Sequence, residues 1–299
     1  MVIRKGLCFM NDLLSKYSEQ AFNGKSDSTR KTYVNEINIF NEWLDGAGTD
    51  ISNFSRVDVQ HYINNLASKQ LAASTINKKF RAITHFCKFF GLEENIKDIR
   101  VIAPENIFNI APKALTRNER NHMMREVARN GSKRDFAVIS TLLNTGIRVS
   151  ECSKIKLANL IDISDKKGFM KVEGKGFKER IVPLNSDTRY ALNAYLQERS
   201  IDIYNLDKLS KAELQQPLFL SNFNKNLSVE SIQRIVKIYG NTHPHTLRHT
   251  FATVLIREKD ADIAVVAQLL GHANMNTVQR YTKASKEDLV KIVDDLTFD

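Results

Sequence analysis

At 299 residues, with 42% hydrophobic and 26% charged side chains, the chain has ordinary globular composition and enough length for two domains, which excludes a largely disordered or collagen-like polymer. The 44 Lys and Arg against 34 Asp and Glu leave a net charge of +10, which points to a polyanionic partner, nucleic acid first and an anionic membrane surface second. No apolar run approaches the roughly 20 residues of a membrane-spanning helix. Asn11 and Asp12 interrupt the apolar segment that follows Arg4 and Lys5, which argues against a secretory signal. Cys8, Cys87 and Cys152 are too scattered for a disulfide framework and form no CxxC pair. The expected setting is reduced, soluble and cytoplasmic.

In chain order, a short amphipathic helix is expected around Met10, Leu13, Leu14 and Tyr17. A second runs through Tyr33, Ile37, Phe40 and Leu44, with Ser28 or Thr29 as its cap. Val59, Tyr62, Ile63 and Leu66 mark a third, and Ile76, Phe80, Ile83, Cys87 and Phe90 a fourth. Four such helices make a small bundle, whose Lys69, Lys78, Lys79, Arg81 and Lys88 supply a basic face, either a solvated surface or a DNA contact. Periodicity lapses between Ile99 and Pro112, where Pro104 and Pro112 indicate a linker. The expected division is a helical domain over 1–103, a linker over 104–112 and a second domain over 113–299. Residues 1–103 carry 14 basic and 11 acidic side chains and the remainder 30 and 23, so both halves are basic.

Thr116 and Glu119 fit a capping box that opens the second domain. Alternation between Leu160 and Leu184 predicts a small antiparallel sheet, with turns at Gly168 and at Gly174-Lys175-Gly176. Helical patterning resumes at Leu192, Tyr195 and Leu196, and again at Ile232, Ile235, Val236 and Tyr239. There is no strand–helix alternation and no GxxxxGK[ST] loop, so a doubly wound nucleotide-binding fold is excluded. Leu289, Ile292, Val293 and Leu296 predict a final amphipathic helix.

Four segments concentrate polar side chains: Thr145-Gly146-Ile147-Arg148-Val149-Ser150-Glu151, Gly174 to Arg180, His245-Thr246-Leu247-Arg248-His249, and Leu270-Gly271-His272 with Tyr281 nine residues beyond. Each has a dull explanation alone, such as a surface ion pair for Arg148, a turn lysine for Lys175 or a half-buried core tyrosine for Tyr281. Their order and spacing together outweigh those readings. The set resembles the tyrosine recombinase (phage integrase) family, with its Xer-type and Cre-type members. That family's pattern has an Arg in TGxRxSE, a Lys on a β-hairpin, an HxxR pair, a second His in LLGH, and a Tyr about nine residues later. Cys152 stands where the family usually has leucine.

The resemblance implies a mainly α protein: an N-terminal SAM-like core-binding bundle, then an α-rich catalytic domain with a small antiparallel sheet. It implies a site-specific recombinase that cleaves and rejoins DNA through a 3′-phosphotyrosyl intermediate. Arg148 and Arg248 would neutralise the phosphate, as permanently charged planar donors suit that task. His272 would add a hydrogen bond, Tyr281 would be the nucleophile, His245 its general base and Lys175 the general acid. Glu151 would hold Arg148 or a histidine in place. No cofactor is implied. The implied partners are double-stranded DNA with specific core sites and a homo-tetramer on two sites joined by a C-terminal docking helix over 285–299, with a heteromeric or accessory protein possible.

Three other readings compete. A metal site on His245, His249 and His272 has helical spacing but no HExxH glutamate, and His243 and His249 fit structural roles better. A type IB topoisomerase shares the covalent chemistry but only relaxes supercoils. A DNA-binding regulator that has lost catalysis is opposed by the full residue set. Because the first helix begins near residue 9, no arm-binding domain is expected ahead of the bundle, which favours a two-domain enzyme. Integration or excision of a mobile element and resolution of dimers or cointegrates all remain open.

Overall fold

The computed structural model describes residues 13–103, 113–174 and 179–271. The chain divides into two compact units, Met1–Ile107 and Phe108–Asp299. Among the described residues no helix is long and apolar enough to cross a membrane.

The first unit is helical: α1 (residues 13–20), α2 (Asp27–Gly46), α3 (Arg56–Ser68) and α4 (Ala73–Phe90). Apolar side chains at three- and four-residue spacing put one stripe of each helix inside. Ile37, Phe40 and Leu44 of α2, Val59, Tyr62, Ile63 and Leu66 of α3, and Ile76, Ile83, Phe86 and Cys87 of α4 are all buried. The rings meet edge-on or tilted, Phe40 lying 5.4 Å from Phe54 and 4.9 Å from Tyr62. The cap of α2 is Ser26, whose hydroxyl accepts from the Thr29 amide at 3.2 Å, so the helix starts ahead of the Ser28 and Thr29 that patterning suggested.

Past α4 the chain is strapped across the bundle instead of entering a linker at once. Gln60 donates Nε2 to the Arg100 carbonyl (3.1 Å) and accepts from the Arg100 amide (2.8 Å), while Asn77 Nδ2 donates to the Ile102 carbonyl (2.7 Å). These side-chain amides act as a sheet neighbour would, which explains why helical periodicity lapses from Ile99 while the backbone stays paired.

The second unit surrounds a separate core. The capping box at Thr116 and Glu119 forms as expected and opens α5 (Arg117–Asn130), followed by α6 (Lys133–Thr145) and the single turn α7 (Val149–Cys152). The predicted sheet is an antiparallel three-strand meander, β1 (Leu160–Ile161), β2 (Phe169–Glu173) and β3 (Glu179–Pro183), in the order β1-β2-β3. Its register pairs Lys171 with Ile181 and Val172 with Arg180. Then come α8 (Ser186–Gln197), the short α9 (Lys211–Leu214), α10 (Val229–Gly240), α11 (Pro244–Thr253), a π-helical turn at Val254–Glu258, and α12 (Ile263–Leu270). The central element is α6, with Ala137, Val138, Ile139 and Leu142 buried inside. Cys152 lies in this core, 1% exposed, as a packing residue, and burial pushes its thiol up to about 12.

Gly146 ends α6 at φ +62°, and a Cβ there would lie 2.3 Å from Cδ1 of Phe251 on α11. Both the left-handed backbone and the close approach of α11 therefore require glycine. Gly146→Ala is expected to destabilise the second unit by about 3 kcal/mol, from strain and overpacking together, measured by denaturant unfolding; a loss below about 1 kcal/mol would mean the turn is not held by that contact.

Candidate active site

The turn made by Gly146 delivers Arg148 to the N-cap position of α7. Glu151, in the first turn of that helix, accepts from the Arg148 amide at 2.7 Å and from its Nη1 at 2.8 Å. The same carboxylate is gripped from the other side by Arg180 of β3, Nη1 to Oε1 at 3.0 Å and Nη2 to Oε2 at 2.8 Å. The Glu151 side chain is 5% exposed, Arg180 10% and Arg148 37%, so the carboxylate sits behind the arginine that faces outward. Burial alone would raise the Glu151 pKa, but the Arg180 hydrogen bonds and charge, with the Arg148 amide and guanidinium, more than offset it and hold the group below the usual carboxylate range.

Pro244 opens α11, and its fixed φ suits the first turn. Helical spacing then sets His245, Arg248 and His249 near one another. His245 is exposed, and its ring lies 4.9 Å from that of His249, edge to face. Arg248 is 2% exposed and donates Nη1 to the Gly146 carbonyl (2.6 Å) and Nη2 to the Leu270 carbonyl (2.7 Å). One side chain thus ties α11 to the end of α6 and the end of α12. Arg148, His245 and Arg248 line one concavity of about 400 Å³ together with Ser150, Gln233 and His243. Three of the six residues expected to act on DNA therefore converge, and Glu151 supports one of them. Lys175, His272 and Tyr281 lie outside the described residues, as does the expected helix over 285–299.

The five basic residues of the first unit have different surroundings. Lys69, Arg81 and Lys88 are exposed. Lys78 and Lys79 both bind the buried Glu36 of α2, at 2.7 and 2.5 Å, and the Lys79 side chain is only 13% exposed. Burial of Glu36 would raise its pKa, but the two ammonium groups bring it below the usual range. Among the described residues no group of three or more His, Cys, Asp or Glu side chains is placed to hold a metal ion.

Sequence reasoning missed Arg180. It stood inside one of the four polar segments, yet only its lysine drew attention. The available signal was an inverted alternation: on β3 the charged Arg180 shares the inward face with the buried Val182, while Ile181 between them is 60% exposed. A guanidinium turned inward on a strand announces a buried partner.

A profile of the phage integrase family matches residues 113–288, and one of the phage integrase N-terminal SAM-like domain matches residues 13–91. A tyrosine recombinase XerC of Thermodesulfovibrio yellowstonii is 32% identical over 282 residues, covering 91% of this chain and 90% of the relative. A tyrosine recombinase XerD of Bifidobacterium longum is 33% identical over 286 residues, covering 90% of each. Among solved structures, that of a XerH site-specific recombinase bound to its difH substrate shares the fold, with a TM-score of 0.67 and 21% identity over 94% of this chain and 83% of that one. The chain belongs to the phage integrase family. Within it the relatives are tyrosine recombinases, and this protein is accordingly a site-specific recombinase, an enzyme that cuts and rejoins DNA; the topoisomerase alternative is not favoured.

With the folded pKa of Glu151 below its unfolded value, the carboxylate's contribution to stability is complete above the ordinary value of 4.5 and is lost as pH falls through the lowered one. The stability gap between the parent and Glu151→Gln should stay constant from about pH 5 to 8 and shrink below that range in pH-dependent thermal melts. A gap that widens on acidification would show burial, not the arginines, to dominate.

Proposed function

We propose that Tyr281 attacks a scissile phosphate of a specific core site, and that Arg148, Arg248 and His272 neutralise and orient that phosphate. The tyrosine Oη forms the new P–O bond as the bond to the 5′ oxygen breaks. The phenolic proton passes to His245, and Lys175 supplies a proton to the departing 5′ oxygen, which leaves as a hydroxyl. The 3′-phosphotyrosyl link conserves the bond energy, so attack by another 5′-hydroxyl reverses the step without ATP. The reading rests above all on the single concavity shared by Arg148, His245 and Arg248. A phenol with an ordinary pKa near 10 needs a base and a cationic surround to act at neutral pH, and this cluster offers both.

In this reading residues 1–103 are the core-DNA-binding domain, 104–112 the linker and 113–299 the catalytic domain, acting on duplex DNA in the cytoplasm. Lys69, Arg81 and Lys88 make phosphate contacts, and Lys78 joins them to a lesser degree because Glu36 competes for it. Lys79 serves the bundle instead. Two protomers on each of two sites form a homo-tetramer. The tail over 285–299 joins them, its five acidic side chains outnumbering two lysines. A hollow of about 770 Å³ lined by Leu143, Phe251, Val254 and Leu255, whose basic Arg117, Arg120 and Lys259 outnumber its acidic Asp187 and Glu258, suits such a helix from another copy. The exchange serves integration or excision of a mobile element, or resolution of dimers or cointegrates, with an accessory protein where the site requires one.

Trapping on a nicked suicide substrate tests the chemistry. The parent should form a covalent adduct that a chelator leaves unchanged, Tyr281→Phe should form none, and Arg148→Ala should slow single-turnover cleavage about 100- to 1,000-fold. An adduct retained by Tyr281→Phe would overturn the assignment. The basic face has its own test in the salt dependence of binding. Arg81→Ala combined with Lys88→Ala should lower the slope of log affinity against log salt by about 2. Lys79→Met should leave the slope unchanged and cost the bundle about 2 kcal/mol in chemical denaturation; the opposite pattern would exchange the two roles.

A further inference from the structure

Arg180 takes no part in the chemistry just proposed, yet it joins the carboxylate behind Arg148 to the end of α12. Two of its nitrogens hold both oxygens of Glu151, and its Nε donates to the Leu269 carbonyl at 2.8 Å. The next carbonyl, Leu270, accepts from Arg248. Two consecutive carbonyls at the C-terminal end of α12, where a helix leaves acceptors unsatisfied and carries partial negative charge, are thus capped by arginines from two different elements. Beyond them the chain turns through Gly271 at φ +63°, where a Cβ would lie only 3.0 Å from Arg180 Nη1. From that turn the sequence leads to His272 and Tyr281, and β3 itself begins four residues after Lys175.

Stability alone is a weak reason for this arrangement, because a buried ion pair is commonly no better than apolar side chains of equal volume. Position is the stronger one. With Arg180 in place, Glu151 divides its charge between two guanidinium groups and Arg148 keeps an exposed face on the concavity. Without it, Arg148 would be left as the only guanidinium bonded to the carboxylate in this triad, and Glu151 would draw it back from the phosphate. We propose that Arg180 is a positioning residue for the strand-transfer site: acting through Glu151 it sets Arg148, and through Leu269 it fixes the point from which the chain leaves α12 toward the nucleophile.

This inference rests on the proposed function, and the experiment keeps the two apart. Full-length parent, Arg180→Lys, Arg180→Met, Glu151→Gln and the Arg180→Lys/Glu151→Gln double variant are compared on a suicide substrate carrying either a phosphate or a neutral methylphosphonate at the scissile position. Half-site affinity and melting temperature are measured alongside. If the parent forms no adduct, the proposed function fails. If it does, Arg180→Met should cleave the phosphate about 100-fold more slowly with unchanged affinity, and Arg180→Lys should recover little, because an ammonium cannot hold a carboxylate at two points. On the methylphosphonate, which needs less cationic stabilisation, the deficit should fall below about 10-fold. The double variant should be no slower than the slower single variant. Cleavage within twofold of the parent, an equal deficit on both substrates, or losses that multiply in the double variant would overturn the proposal. Arg180→Lys preserves charge and bulk, so these comparisons remain available if Arg180→Met does not fold.

Discussion

A carboxylate buried between two arginines, Glu151 between Arg148 and Arg180, is the constraint around which the catalytic half is arranged. Such a group survives in a low-dielectric setting only when its lone pairs are satisfied and its charge is compensated. Meeting that demand requires the Gly146 turn to deliver Arg148, the one-turn helix to present Glu151, and β3 to turn a guanidinium inward. Two neighbouring elements and a strand residue 29 positions from Glu151 are placed by one ionic requirement. Arg248 repeats the logic with carbonyls in place of a carboxylate, joining the end of α6 to the end of α12 from inside α11.

These contacts give the site rigidity at some cost in charge. Glu151 offsets one of the two guanidinium groups it holds and so weakens the field that a phosphate would meet. Donors fixed before the substrate arrives need no reorganisation during the reaction, and in a partly dehydrated concavity that advantage outweighs the loss of nominal charge. The exposure of the three side chains is consistent with such a division: the carboxylate is the most deeply placed, Arg180 nearly as deep, and Arg148 the one that reaches outward.

Much of this was legible in the sequence. Ile37, Phe40, Leu44, Val59, Tyr62, Ile63, Ile76, Ile83 and Cys87 reached the core because helical spacing leaves an apolar stripe nowhere else to go. Arg148, His245 and Arg248 were found by motif and lie together. Less was visible where a side chain serves the backbone. Gln60 and Asn77 read as ordinary solvated amides, and only a folded chain shows them pairing with Arg100 and Ile102. Lys78 and Lys79 read as equal members of a basic face, but Glu36, four residues after Thr32 on the opposing helix, claims the inner of the two most fully. Such long-range pairing has no periodic signature, so patterning cannot separate a lysine that serves the core from one that serves a ligand.

The same distinction explains why an inconspicuous arginine joins two parts of the site. A motif marks residues that touch a common substrate, since their chemistry fixes both type and spacing. A residue that acts through its neighbours is constrained by geometry instead, and its trace in the sequence is a local contradiction: a charge where a strand's parity calls for an apolar side chain, with isoleucine on the outer face beside it. Among the described residues the sheet has three strands with β3 at its edge, where an inward guanidinium would be a liability unless something repaid its desolvation. Glu151 and the carbonyl end of α12 supply that compensation, and in accepting those bonds they bring the edge strand, the turn that carries Arg148 and the last described helix into one mechanical unit.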